Sequence, residues 1–264
     1  MFETVVRRIK GAMMGLLYGV FFLGILCELF LFLPVVSFKN RLSGQQPCRM
    51  QCALRTLLNL WLWFLWAGRL LVSRPSKGKP VEGPCVVVSN HPGLFDVLFL
   101  IRDIPRMCVM VKRALAKSLP LGPLFRSAGY VLSPDYEHAS PLQSLDEAKE
   151  KIEMGYKFMV FPETTRSPKG TLGRFSPGPF MLARISNVPV QPVLIKNNPP
   201  FLPKADKWYF PPFRASTIQL EYWKPLAPPR AGEERKFAKE LEVRYREALS
   251  LAAGGNFESS RESE

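Results

Sequence analysis

Histidine is nearly missing from this chain: His91 and His138 are the only two among 264 residues. Aspartate is scarce as well, at five. Chemistry that needs a proton traded near neutral pH therefore has very few places to sit. The five cysteines (27, 48, 52, 85 and 108) show no paired framework. Cys48 and Cys52 stand four apart, with no His or Cys group to complete a zinc site. A disulfide scaffold and a zinc module are thus excluded, and reduced thiols in a cytoplasmic setting are expected. Acids are outnumbered, 22 against 36 Lys and Arg, for a net charge of +14. Zinc-finger spacing, a basic zipper and an aromatic RNA-binding motif are all lacking. The positive charge is therefore read as attraction to anionic lipid headgroups, with no nucleic-acid partner. Internal repeats are absent too.

Charge is also missing from one long stretch. Between Gly11 and Phe38 the sole ionisable acid or base is Glu28, over 28 residues. That exceeds the roughly 20 residues a helix needs to cross a bilayer. It is too long for the apolar region of a cleaved leader, and no small-x-small site follows. Arg7, Arg8 and Lys10 precede it; Lys39 and Arg41 follow. A second apolar segment, Leu54 to Val72, has an uncharged centre of only 13 residues, Thr56–Gly68. It fits an interfacial or re-entrant helix, with Trp61, Trp63 and Trp66 at headgroup level. These two helices read as an anchor dipping into the cytoplasmic leaflet, with two full spans as the alternative; either leaves the domain that follows facing the cytoplasm.

What is present is concentrated in two short segments. Residues 90–96 read Asn-His-Pro-Gly-Leu-Phe-Asp, placing His91 five residues before Asp96. Residues 161–167 read Phe-Pro-Glu-Thr-Thr-Arg-Ser, placing Glu163 three before Arg166. A neutral imidazole suits the removal of a hydroxyl proton, and a nearby carboxylate fixes its tautomer and steadies the imidazolium. A guanidinium suits an anionic headgroup. The β-branched run 85–89 reads as a buried strand ending just before His91, with Pro92 and Gly93 forcing a turn. The run 158–162 is a second strand, ending at Glu163. Ligands gather at the carboxyl ends of strands in open α/β sheets, so both segments point to one rim. On spacing alone, a turn histidine with Asp96 capping the next helix is an equal reading.

These segments resemble the glycerolipid acyltransferases of the lysophosphatidic acid acyltransferase type. That family shows Asn-His-x4-Asp, Phe-Pro-Glu-Gly-Thr-Arg-Ser and a Val-Pro-x-x-Pro strand, here Val188–Pro192. Its Gly-x-x-Phe block resembles Gly122–Phe125, and the likeness covers about residues 80–226. It implies His91 as general base and Asp96 as its orienting partner. It implies Glu163, Thr164, Thr165, Arg166, Gly93 and Lys112 as substrate-binding residues, with no metal. The co-substrate is an acyl thioester on coenzyme A or acyl carrier protein, with no further cofactor. The expected activity is transfer of the acyl group to a lysophospholipid hydroxyl in phospholipid biosynthesis, by default that of 1-acyl-glycerol-3-phosphate. A different lipid alcohol, thioester hydrolysis and a non-catalytic adaptor are the alternatives. The chain departs from the pattern at Gly93, where the family often has Ser, and at Thr164, where it has Gly. It also lacks the Arg expected near Ser133 and has Ser176-Pro177 for two lysines. Basic groups facing an acceptor phosphate are fewer, and Lys112, Lys117 and Arg126 are candidates to compensate.

After a Pro/Gly/Lys-rich linker at 73–83, strand and helix alternate. Strands are expected at 85–89, 107–111, 130–132, 158–162, 189–195 and 217–223, and helices at 94–102, 113–117, 141–154, 178–186 and 232–252. The fold class is α/β: a mixed, largely parallel sheet covered by helices, with an N-terminal two-helix membrane anchor. The divisions are 1–73 anchor, 74–253 catalytic domain and 254–264 disordered tail. Between Asn197 and Ala215 a loop carries five prolines and Phe201, Trp208, Tyr209, Phe210 and Phe213. It reads either as a lipid- or acyl-facing element or as a stiff surface crossover.

Overall fold

The computed structural model describes residues 2–27, 30, 46–93, 95–118, 121–133, 141–167, 171–202 and 211–258. Seven strands form one sheet: β1 (Leu71–Ser73), β2 (Val86–Ser89), β3 (Met107–Val111), β4 (Val131–Leu132), β5 (Lys157–Val160), β6 (Val190–Asn198) and β7 (Ser216–Tyr222). Their spatial order is β1-β7-β6-β2-β5-β3-β4. Every neighbouring pair is parallel except β6 and β7, so the sheet is mixed and largely parallel, as expected. Central β2 reads Val-Val-Val-Ser and is buried throughout. A strand with no alternation belongs in a sheet covered on both faces.

Two helix groups provide that cover. One is α1 (Phe2–Cys27), α2 (Gln46–Ala67), α3 (Asp96–Asp103) and α5 (Leu121–Ser127), gathered around α2; short α4 (Arg113–Ala116) packs on α5. The other is α6 (Pro141–Glu153), α7 (Gly178–Ile185) and α8 (Glu234–Glu258), which pack on each other and on β4, β5, β2 and β6. Ala148 and Ile152 of α6 and Leu241 and Tyr245 of α8 are buried, as their spacing predicts. Glu28, His138 and Trp208–Phe210 lie outside the described residues. Helix α8 runs to Glu258, into the tail read as disordered.

The second anchor helix needs correction. It starts at Gln46 and stops at Ala67, and Leu71 and Val72 leave it to form β1, paired with β7. The catalytic sheet therefore begins inside the region assigned to the anchor. The helix ends in a Schellman turn: Leu70 N–H donates to Leu65 O (3.0 Å) and Arg69 N–H to Trp66 O (2.9 Å), with Arg69 at φ +50°. Arginine stands where glycine usually marks such an end. One face of helix α2 packs into the domain, and Leu60, Trp63 and Trp66 are exposed on it. Leu54, Leu58, Trp61, Leu62 and Leu65 are buried. Arg55 donates twice to Arg102 O, at 3.0 and 2.8 Å, and Gln51 donates to Ala128 O at 3.0 Å. Trp61 is 2% exposed, so it is not a headgroup residue; Trp63 and Trp66 are exposed.

Among the described helices only α1 is long and apolar enough to cross a membrane, over Glu3–Cys27 with mean hydropathy 1.8. It runs antiparallel to α2, Met13 lying against Gly68 and Leu57 against Gly24. Its Met14 and Ile25 are fully buried, whereas Val5, Ile9, Leu16, Val20 and Leu23 form an exposed apolar stripe.

Candidate active site

Strands β2, β5 and β3 run parallel, so the residues that follow them share one rim. The end of β2 is fixed first. The Asn90 amide donates to Ile195 O (2.9 Å) and accepts from Ile195 N–H (2.8 Å), adding a side-chain rung between β2 and β6. His91 emerges from this anchored end. Its N–H donates to Glu163 Oε1 (3.0 Å), and its carbonyl accepts from Ser167 N–H (2.8 Å). The imidazole lies flat on Phe161, with centroids 3.8 Å apart and planes 7° from parallel.

His91 Nδ1 is 3.0 Å from Asp96 Oδ2, the pairing that the five-residue spacing predicts. With Nδ1 turned to the carboxylate, Nε2 is the nitrogen left for a reactant, and the side chain is 17% exposed. Asp96 opens α3 and is completely buried. Burial pushes its carboxyl above the ordinary range; the bond and charge of His91 and the Gly93 N–H pull it down, and Glu163 pushes it up. Gly93 N–H donates to Asp96 Oδ2 at 2.6 Å, so Gly93 builds the dyad. That bond also removes Gly93 as an oxyanion donor. Val188 and Val190 are taken as well, donating to Ala183 O (3.0 Å) and Leu226 O (2.9 Å). The departure from Ser at Gly93 has a steric cause. A β-carbon there would sit 2.4 Å from Phe201 O.

Glu163, expected among the substrate-binding residues, has another job. It is 5% exposed, and its oxygens accept from His91 N–H (3.0 Å), Ser167 Oγ–H (2.8 Å) and Gly173 N–H (2.6 Å). It clamps the loop after β5 to the loop after β2. Thr164 and Thr165 are exposed at the tip, Thr164 with φ +59°. Half-buried Arg166 donates to Leu202 O (3.2 Å). Lys112 is exposed at the end of β3, two strands from β2. It lies about 10 Å along the rim. Arg126 donates to Ala116 O at 3.5 Å, and Lys117 is exposed on the same stretch. Of the aromatic loop, Phe201 is described and fully buried against Phe95, 5.4 Å away, so it is core. Cys85, just before β2, is buried and its thiol is pushed up to about 12, which makes it a poor nucleophile. No cluster with metal-ligand geometry occurs among the described residues. Sequence reasoning missed Asn90, Ser167 and Phe161 as supports; each lies inside a quoted motif, but its partner is set only by folding.

Residues 72–196 match the family model described as Acyltransferase. A putative 1-acyl-sn-glycerol-3-phosphate acyltransferase of Caenorhabditis elegans is 24% identical over 215 residues, covering 75% of this chain and 73% of the relative. The human 1-acyl-sn-glycerol-3-phosphate acyltransferase beta is 31% identical over 129 residues, covering 48% and 46% respectively, so the chain matches about half of that protein's length. The crystal structure of the 1-acyl-sn-glycerophosphate acyltransferase of Thermotoga maritima superposes with a TM-score of 0.70 at 25% identity, covering 92% of this chain and 98% of that one. The His–Asp pair and the Glu163–Arg166 loop both lie inside the matched region, so the chain is similar to the 1-acyl-sn-glycerol-3-phosphate acyltransferases over the part that carries its candidate site.

Proposed function

We propose that this protein transfers a fatty acyl group from a thioester, carried by coenzyme A or acyl carrier protein, to the free hydroxyl of a lysophospholipid, by default 1-acyl-glycerol-3-phosphate. The observation that carries this reading is the 3.0 Å contact between His91 Nδ1 and Asp96 Oδ2 at a strand end, which leaves Nε2 as the ring nitrogen for a reactant. The hydroxyl proton passes to Nε2 as the oxygen attacks the thioester carbonyl. Asp96 holds the ring and offsets the imidazolium charge. The C–S bond then breaks, and His91 returns the proton to the leaving thiolate. A thioester is already activated, so the step calls for no metal. With the N–H groups of Gly93, Val188, Val190 and Thr164 committed elsewhere, oxyanion stabilisation is assigned to those of Thr165 and Arg166 on the same loop.

Arg166 faces the acceptor headgroup, and Lys112 extends the positive rim. The apolar stripe of α1 seats the protein on a lipid leaflet, which confines acceptor and base to one layer. The catalytic domain faces the cytoplasm, where the thioester donor is found.

The test supplies acyl-CoA or acyl carrier protein thioester and lysolipid in detergent. Diacyl lipid is the expected product; free fatty acid alone indicates hydrolysis. His91→Ala should lower turnover by at least about 1,000-fold with the fold intact. Undiminished transfer by that variant rejects the base.

A further inference from the structure

The carboxylate that orients His91 is only half satisfied. Asp96 Oδ2 receives His91 and Gly93, but Oδ1 is buried with no partner. A second buried polar atom nearby has the opposite problem: Asn197 Nδ2, on β6, is a donor without an acceptor. The two meet over Gly93. They lie 3.3 Å and 2.9 Å from the point a β-carbon on that residue would occupy. The other end of the amide is committed, since Asn197 Oδ1 accepts from Phe201 N–H at 3.1 Å, and this turns the NH2 toward the notch. A buried unpaired acceptor and a buried unpaired donor each cost free energy, and each is what the other lacks.

We propose that Asn197 is a positioning residue for the acyl transfer: its amide donates to Asp96 Oδ1, after a small torsion or through one water, and so sets how strongly the carboxylate holds the His91 proton. The inference rests on His91 and Asp96 being the working pair. Glycine at 93 leaves the approach from β6 open. The charged groups around the pair are Glu163, bonded to the His91 N–H, and Arg166 on the same loop. The α1 and α2 side chains packed beside it through Phe95 are the aromatics Tyr18 and Trp61. Lys196, next along β6, is engaged with Glu221 at 2.8 Å. Removing the donor leaves more negative charge on Asp96 for the imidazolium. The pair then binds its proton more tightly, and the acid limb of turnover moves to higher pH.

Two variants separate this from a structural role. Asn197→Asp keeps the shape and the acceptor for Phe201 but replaces the donor with a charge. Asn197→Leu removes both polar ends. Turnover of thioester and lysolipid against pH is measured in detergent on the full chain, with melting temperature as the fold check. In parallel the imidazole is titrated by NMR; with two histidines in the chain, His138→Gln assigns the signals. Expected are a kcat loss of about tenfold for Leu and more for Asp, acceptor KM within about twofold, and a His91 titration raised by about half to one pH unit. A purely structural residue gives the reverse order, with isosteric Asp the milder change and the titration unmoved. That result overturns the inference. Should the wild type transfer no acyl group while both variants still shift the titration, the functional reading fails and the link from Asn197 to Asp96 stands.

Discussion

Replacing Glu163 with glutamine separates a clamp from a substrate ligand. The carboxylate takes three donors: two backbone N–H groups, at 3.0 and 2.6 Å, and the Ser167 hydroxyl at 2.8 Å. Glutamine offers one oxygen and one NH2. If the oxygen stays with His91 and Ser167, the NH2 points at the Gly173 N–H and that bond is lost. A hydrogen bond to a charged group contributes about 1.5–3 kcal/mol, and the two survivors each weaken by about 0.5–1 kcal/mol on losing the charge. The expected cost is about 2.5–5 kcal/mol. Against a typical stability of about 5–15 kcal/mol the fold survives, with a melting temperature lower by about 5–20 °C. Because one of the weakened bonds holds the His91 backbone, kcat should fall about 10- to 100-fold while KM for the lysolipid changes by less than about twofold. Thermal unfolding and steady-state kinetics in the same detergent provide the check. A rise in acceptor KM of tenfold with kcat and melting temperature unchanged would show that Glu163 touches substrate and would refute the clamp.

Thr164 holds φ +59°, a region a β-branched side chain resists. Thr164→Gly should therefore gain about 0.5–1.5 kcal/mol, strain relief outweighing glycine's entropy, and an unchanged or lower melting temperature contradicts this. Asp96 is raised by burial, so between its ordinary value near 3.8 and its higher folded value the folded state binds the extra proton, and stability falls as pH rises through that window. Asp96→Asn removes this cost. It should melt no lower than wild type at pH 7 while losing turnover by about 1,000-fold or more, and a clear drop in melting temperature would mean that the charge stabilises the fold. Leu16 and Leu23 on the outer stripe of α1 are 69% and 61% exposed. Changing both to Glu should cut vesicle binding by at least about 100-fold, since each leucine buried in lipid contributes about 1.5–3 kcal/mol, while activity in detergent persists; unaltered co-sedimentation counts against that stripe as the lipid-facing surface.

How far the sequence reveals this molecule depends on whether the deciding interaction is local. The short apolar runs at 86–89 and 107–111 are strands because a covered sheet suits them. Three helix ends are legible because Gly129, Gly155 and Asn187 occupy left-handed positions that those residues favour. The fourth such end, at Arg69, carries no signal, so the apolar run reads as a single helix although a helix stops there and an edge strand begins. The His91–Asp96 pair is legible because one turn through Pro92 and Gly93 brings the two together. The partners of Glu163 are not: one is 72 residues away, and another, Gly173, is a backbone N–H. Asn197 is further hidden. Its relevance comes from β6 lying beside β2, a neighbour relation that exists only once the sheet is ordered.

The contacts around Phe95 decide what kind of anchor α1 would be. Phe95 precedes Asp96 and is 5% exposed. Trp61 of α2 meets it edge-on at 4.7 Å, Tyr18 of α1 lies 5.8 Å away and Phe201 5.4 Å away. Trp61 Nε1–H donates to Leu17 O at 3.2 Å, tying α2 back to α1, and Lys10 Nζ donates to Phe213 O at 2.7 Å. A passive tether needs none of this; it would present one apolar surface to lipid and leave the domain through a loose linker. Here one face of α1 is core, with Met14 and Ile25 fully buried, and the opposite face carries the exposed stripe. Lifting α1 from α2 would strip packing from Phe95 and so from the residue that positions Asp96. Aromatic pairs of this kind contribute about 0.5–1.5 kcal/mol each beyond their buried area, enough to hold the first turn of α3 in one place. The helix proposed to meet lipid is thereby part of the support of the Asp96 carboxylate, and the order of the His91–Asp96 pair depends on the seating of the N-terminal helix.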